Sequence, residues 1–224
     1  ATLQTISLPG GEIAIKEPRR IAISLLYHLF GEKVWEFAPL AVKNHYSENE
    51  QKLILQLLKS NFQNFACSSM GRLFDGISCL LKGIPKMTFE GQAALYLEQL
   101  AAKGTTQAQP YPVEFLNEKN KLIIDWRPML LLLLDDLAKK SEISNIANQF
   151  HHWCKNVICH IVNRFDYQSI ILSGGVFQNK LLSELATSAL LKQGYQVYCA
   201  NQLPSNDGAL SVGQVFALHC LDLN

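Results

Sequence analysis

Apolar residues recur at helical spacing through most of the first hundred positions. After the turn Leu8-Pro9-Gly10-Gly11, the pair Glu17-Pro18 marks a helix start. Proline suits that place because its ring pre-sets φ where an N–H would have no helical partner anyway. Ile21, Leu25, Leu26 and Leu29 then predict one buried face. Leu53, Leu57 and Leu58 predict a second helix over 48–61, and Leu73, Ile77, Leu80 and Leu81 a third. A fourth is expected over 93–100, which makes this part of the chain mainly helical.

The pattern changes at the polar stretch 104–112, which holds two prolines and one glycine and reads as a loop or subdomain boundary. We therefore expect a mainly helical subdomain over 1–109 and an α/β core over 110–224. Val113-Glu114-Phe115-Leu116 and 122–126 flank the polar residues 117–121 and predict a β-hairpin. Pro128 opens another helix, and 143–164 forms a long one. Ser169-Ile170-Ile171-Leu172 predicts a short buried strand closed by Ser173-Gly174-Gly175. Leu181, Leu182, Leu185, Leu190 and Leu191 mark a helix ended by Gly194, followed by a strand over 195–200. A loop through Pro204 reaches Asp207-Gly208 and a last helix over 209–221. Strand, glycine turn, helix, strand, loop and helix is the order of an α/β domain, whose ligands settle at the carboxyl ends of the strands.

Composition narrows the classes. With 224 residues, 48% of them hydrophobic, the chain can bury a sizeable core. Twenty basic against nineteen acidic residues leave a formal charge of +1, no electrostatic footprint for nucleic acid or an anionic membrane. The longest apolar run, Met129 to Leu134, stops at Asp135-Asp136. It is far short of the roughly 18 residues that cross a bilayer, so a cytoplasmic place is expected. The six cysteines, Cys67, Cys79, Cys154, Cys159, Cys199 and Cys220, never take the spacing of a zinc knuckle and read as reduced thiols. The chain opens Ala1-Thr2-Leu3 and is soon inside turn chemistry, so a fragment of a longer protein is expected.

Chemistry concentrates in 170–179, where Gly174-Gly175 between a hydrophobic strand and a helix lets a flat or phosphorylated ligand approach the backbone. The alternative is an ordinary strand-to-helix turn. Arg72 offers a guanidinium, which suits a planar anion, or is simply solvated. Cys67, beside Ser68 and Ser69, has no neighbouring base and reads as a buried thiol. The adjacent His151-His152 point in different directions on a helix, and packing is the better reading of His151.

SGGVFQNKLL (173–182) resembles the adenosine motif of the hydrogenase-maturation carbamoyltransferases, the HypF family. Less closely, it resembles the tRNA threonylcarbamoyladenosine synthases and antibiotic O-carbamoyltransferases. LPGGEIAIKEPRR (8–20), CSSMGRLFDGISCLL (67–81), FEGQAALYLEQLA (89–101) and LPSNDGALSVGQ (203–214) agree in order, nearly end to end.

The resemblance implies the C-terminal half of an actin/sugar-kinase-like (ribonuclease H-like) α/β domain that uses ATP. It implies Gly174 and Gly175 against adenine and ribose, Asn179 positioning the nucleotide, Asp75 accepting from ribose hydroxyls, and Gly91 letting the sugar sit close. A solvated or capping carboxylate is the alternative for Asp75. Arg72 would meet the phosphate or carbamoyl group. Asp207 would ligate a divalent metal (Fe, Zn or Mg), with Asn206 the competing position and an Asx turn the alternative to both. The family's histidine pair separated by three residues is absent here, so the metal site would be incomplete.

The implied activity is transfer of a carbamoyl group from carbamoyl-adenylate to the C-terminal cysteine of a partner, HypE. The product is the precursor of the cyanide ligands of nickel-iron hydrogenase. This chain would supply the nucleotide-binding half, joined to upstream domains of the same protein. A tRNA adenine or a small-molecule hydroxyl as acceptor, and a non-catalytic nucleotide-binding half-domain, are the other readings.

Overall fold

The computed structural model describes residues 1–60, 64–105, 109–119 and 121–221. It divides into two compact units, Ala1–Trp153 and Cys154–Asn224. The boundary expected near residue 109 thus falls inside the first unit. The reason is that residues on both sides of 109 are tied together: Asn148 Nδ2 donates to the Ala101 carbonyl at 3.0 Å, and Gly104 lies against the Ser144 carbonyl.

The first unit opens with strands β1 (Thr2–Leu3) and β2 (Ile6–Pro9), then helices α1 (Glu12–Lys16) and α2 (Pro18–Phe30). A 3₁₀ turn leads into α3 (Val34–Phe37), α4 (Leu40–Lys43) and α5 (Glu48–Ser60). Strand β3 (Asn64–Cys67), helices α6 (Met70–Leu80) and α7 (Gln92–Ala101), and the hairpin β4 (Glu114–Glu118) and β5 (Lys121–Asp125) follow. Helix α8 (Arg127–Ala138) and the first part of α9 (Ile143–Val162) complete it.

Two small sheets frame these helices. In the first, β4 pairs antiparallel with β5, as expected, and β1 pairs parallel with β5 through Thr2↔Ile123 and Leu3↔Ile124. A parallel pair needs a long crossover, and here the crossover is the whole helical stretch between them. Trp126, fully buried, fastens the join by donating its indole N–H to the Gln4 carbonyl at 2.9 Å. In the second sheet β2 pairs antiparallel with β3, from Ile6↔Cys67 to Pro9↔Asn64.

The core centres on α2 and α6. Both are buried along most of their length, Ile21 to Leu26 on one and Leu73 to Leu80 on the other, the signature of internal helices. Phe74 joins this pair to α9, meeting Phe150 edge-to-face at 4.9 Å and His151 at 5.4 Å. Helix α5 buries Ile54 and Leu58 while Leu53 is exposed, so its inner face is rotated from the expected one; residue 61, the expected end, lies outside the described residues. Its start is a capping box. Glu50 N–H donates to Ser47 Oγ, while the Glu50 carboxylate accepts from Ser47 N–H at 2.9 Å.

The second unit holds the end of α9, strand β6 (Ser169–Leu172), a 3₁₀ turn (Gly175–Gln178), helix α10 (Lys180–Lys192), strand β7 (Gln196–Cys199) and helix α11 (Leu210–Leu221). Strands β6 and β7 run parallel, in register from Ser169↔Gln196 to Leu172↔Cys199. Cys159 of α9, Leu172 of β6, and Ala186 and Leu190 of α10 form the buried cluster under one sheet face. Alternate residues point the other way, and Ile171 and Tyr198 are exposed. The strand expected to be buried is therefore buried on one face only. This alternation of helix and sheet bears out the expected α/β class.

Candidate functional site

Three of the expected site residues belong to the first unit. Arg72 and Asp75 stand one turn apart on α6, a spacing that places both side chains on one face. Asp75 is only 2% exposed, which removes the solvated-carboxylate reading. The Arg72 guanidinium approaches it, Nη1 to Oδ2, at 3.1 Å, an ion pair without hydrogen-bond alignment: Oδ2 has no hydrogen-bond partner among the described residues. The same Nη1 donates to the Ile15 carbonyl of α1 at 3.3 Å. Burial pushes the Asp75 carboxyl up to about 7; Arg72 opposes that rise and Glu90 adds to it. Gly91 precedes α7 with φ +80°, and a Cβ there would meet open space. Only its left-handed backbone demands glycine.

The other four belong to the second unit. Gly174, at the carboxyl end of β6, has φ +106° and ψ 158°, a conformation open essentially to glycine alone. Its N–H donates to the Ser205 carbonyl at 2.7 Å, tying the glycine turn to the loop after β7. Gly175 faces Asn206 across that junction, where an added Cβ would lie 3.9 Å from the Asn206 Cβ. Asn206 Oδ1 accepts from Gly208 N–H at 3.0 Å, an Asx turn, while the neighbouring Asp207 is exposed. Ser173, Gly174, Pro204, Asn206, Asp207 and Leu210 help line a cleft of about 790 Å³. Asn179 is buried and caps α10, its Oδ1 accepting from Leu182 N–H at 2.8 Å. Arg72 and Asp75 thus form one contact set, and Gly174, Gly175, Asn206 and Asp207 another, in different units.

Among the described residues no three His, Cys, Asp or Glu side chains converge as a metal cage. Asp207 by itself offers one carboxylate, so this donor set does not fit a resident metal ion without ligands from elsewhere. His151 is fully buried, with Nδ1 donating to the Ala147 carbonyl at 2.8 Å, and its burial lowers the imidazole pKa to about 4. That is the packing role expected of it. Cys67 is half-exposed on β3 rather than buried. No helix among the described residues is long and apolar enough to cross a membrane.

What the sequence pattern does not reveal is the tether between Arg72 and Ile15. The i,i+3 spacing of Arg72 and Asp75 is visible in the sequence, but a carbonyl partner 57 residues away leaves no local signal.

Residues 1–214 match the family model described as "Carbamoyltransferase, Kae1-like Domain, second subdomain". The chain is 35% identical to the carbamoyltransferase HypF of Synechocystis sp., over 97% of this chain and 29% of that protein. It is 28% identical to the probable carbamoyltransferase HypF of Methanocaldococcus jannaschii, over 92% of this chain and 26% of that protein. A crystal structure of full-length HypF in the phosphate- and nucleotide-bound form superposes with a TM-score of 0.82 at 32% identity, covering 95% of this chain and 33% of that one. The T. kodakarensis HypF structure shares the fold, also at a TM-score of 0.82, with 24% identity over 97% of this chain and 29% of that one. The chain therefore spans about a third or less of each of these four proteins.

Proposed function

Since this chain belongs to the HypF carbamoyltransferase family, as the second subdomain of its Kae1-like domain, we propose that it supplies the nucleoside-binding part of a carbamoyl-transfer site within a longer polypeptide. The substrate in this reading is carbamoyl-adenylate, formed from ATP and carbamoyl phosphate, and the acceptor is the C-terminal cysteine thiolate of HypE. The thiolate attacks the carbamoyl carbon, a C–S bond forms, the C–O bond to the adenylate phosphate breaks, and AMP leaves. The chain then needs no nucleophile of its own.

The observation that carries the proposal is the Gly174 turn. A glycine at φ +106° ends a strand, precedes a capped helix and borders a cleft. Backbone N–H groups at such a place can meet a nucleotide closely. Gly175 extends that wall, and Asn179 holds α10 in place behind it. In the first unit, taken by itself, the buried Asp75 carboxyl keeps spare acceptor capacity for hydroxyl donors, and Gly91 has open space where a Cβ would stand. Arg72 of the same unit offers guanidinium N–H donors suited to a phosphate or carbamoyl group. Asp207 is favoured over Asn206 as the family's metal ligand, because the Asn206 oxygen is already engaged by Gly208 N–H. Asp207 would be a single ligand, the others having to come from outside this chain's described residues.

An ATP-soaked crystal of the full-length polypeptide tests the site: adenine against Gly174 and Gly175 is expected, and adenine lodged elsewhere overturns the proposal. A complementation assay tests the activity. This chain alone should transfer no carbamoyl group to HypE, and addition of the upstream part should restore transfer. Transfer by the chain alone would refute the half-site reading.

A further inference from the structure

We propose that Gln214 reads the base held in the cleft beside Gly174 and recognises adenine by its 6-amino group, an inference that rests on the nucleotide-site reading above. The residues lining that cleft all belong to the second unit: Ser173 and Gly174 at the end of β6, the loop after β7, and α11. Gly213 and Ala217, one turn apart on α11, both line it. A Cβ added to Gly213 would meet nothing within 4 Å, so the open space extends to the helix backbone. Such a wall suits a planar ring. Leu203, Leu210 and Phe216 also border the cleft and are exposed, apolar area that a bound base takes out of water.

Gln214 is the polar exception on this helix wall. From Leu210 to Leu218 the polar side chains are Ser211 and Gln214, and of these two Gln214 lines the cleft. Its carboxamide makes no hydrogen bond among the described residues. Asn206, the other carboxamide of the lining, already has its Oδ1 engaged by Gly208 N–H. A base entering the cleft strips water from the Gln214 amide, which costs free energy unless the base replaces the lost hydrogen bonds. The amide presents an acceptor and a donor side by side. Adenine matches that pair, because its 6-amino donor stands next to a ring-nitrogen acceptor. Oε1 then accepts from the 6-amino group and Nε2 donates to the ring nitrogen. A purine without the amino group leaves Oε1 unpaired.

The test is calorimetry on the full-length polypeptide, comparing adenosine with purine riboside, which differs only in lacking the 6-amino group. In the wild type adenosine should bind about tenfold tighter. Gln214→Leu keeps much of the side chain's bulk and removes its polar atoms, so the ratio of the two affinities should fall to about one. That ratio cancels any loss common to both nucleosides, which is what a merely structural role would produce. Either 1-deazaadenosine or 7-deazaadenosine should also bind more weakly than adenosine in the wild type, and as tightly as adenosine in Gln214→Leu. Purine riboside bound as tightly as adenosine by the wild type overturns the inference without any substitution, so a variant that folds poorly does not shield it. A preference for adenosine that survives Gln214→Leu, or two deaza analogues that both match adenosine, overturns it while leaving the nucleoside site intact. Failure of the wild type to bind adenosine overturns the inference and the site reading together.

Discussion

A Cβ added to Gly76 would lie 2.5 Å from Leu25 Cδ1 and 3.0 Å from Ile21 Cγ2, so α6 meets α2 where α6 has no side chain. Both helices are internal there, and neither partner atom belongs to a flexible tip at the surface. Gly76→Ala should therefore destabilise the first unit by about 1–3 kcal/mol, although alanine is the better helix former by about 1 kcal/mol. A lower denaturant midpoint with an unchanged slope is the expected reading. Leu25→Ala, which opens space opposite, should recover part of the loss in the double variant.

Asp75 carries a pH signature in stability. Its carboxyl titrates near 7 when folded, against an ordinary value of 3.8. Between those values the folded state keeps a proton that the unfolded chain has released, so stability declines as pH rises toward 7 and the decline ends above it. Over that window the loss amounts to roughly 4 kcal/mol, from a slope of about 1.4 kcal/mol per pH unit. Asp75→Asn should remove the slope, and thermal melts at pH 5 and pH 8.5 should move closer together than in the wild type.

His151 pulls the other way. Burial holds its imidazole near 4, against an ordinary 6.5. As pH falls from 6.5 toward 4 the unfolded chain gains a proton that the folded state does not, so stability declines with acid, by roughly 3 kcal/mol over the window. His151→Phe keeps an aromatic against Phe74 and should flatten that acid limb. The two limbs overlap in the wild type, so the single variants, each melted across pH 4 to 8, are what separate them.

Much of this architecture is legible in local pattern, and the exceptions share a cause. Helices α2, α6, α7, α8 and α10 are visible because their apolar spacing is a property of each segment alone. The Thr2–Leu3 strand is not, since two residues carry no period and its partner is β5, far along the chain. Leu53 and Ile54 are both apolar and adjacent, so only tertiary packing decides which one faces inward on α5. For the candidate site, Gly174 announces a special turn by its residue type. Asp75 cannot announce its burial, because an aspartate within an apolar helix looks the same in sequence whether it meets solvent or a buried arginine.

Strand β6 allows a prediction from alternation. Leu172 is 4% exposed within the cluster formed with Cys159, Ala186 and Leu190, whereas the preceding Ile171 is 75% exposed. Adjacent strand residues face opposite ways, so two substitutions one position apart act in different surroundings. Leu172→Ala removes packed methyl groups and leaves a cavity, and should cost about 2–4 kcal/mol. Ile171→Thr keeps the β-branch that suits a strand and leaves no cavity, so its cost should stay within about 0.5 kcal/mol. Chemical denaturation of both variants of this chain reads the difference directly. Equal costs would mean that β6 is buried on both faces, contrary to the exposed Ile171–Tyr198 pair.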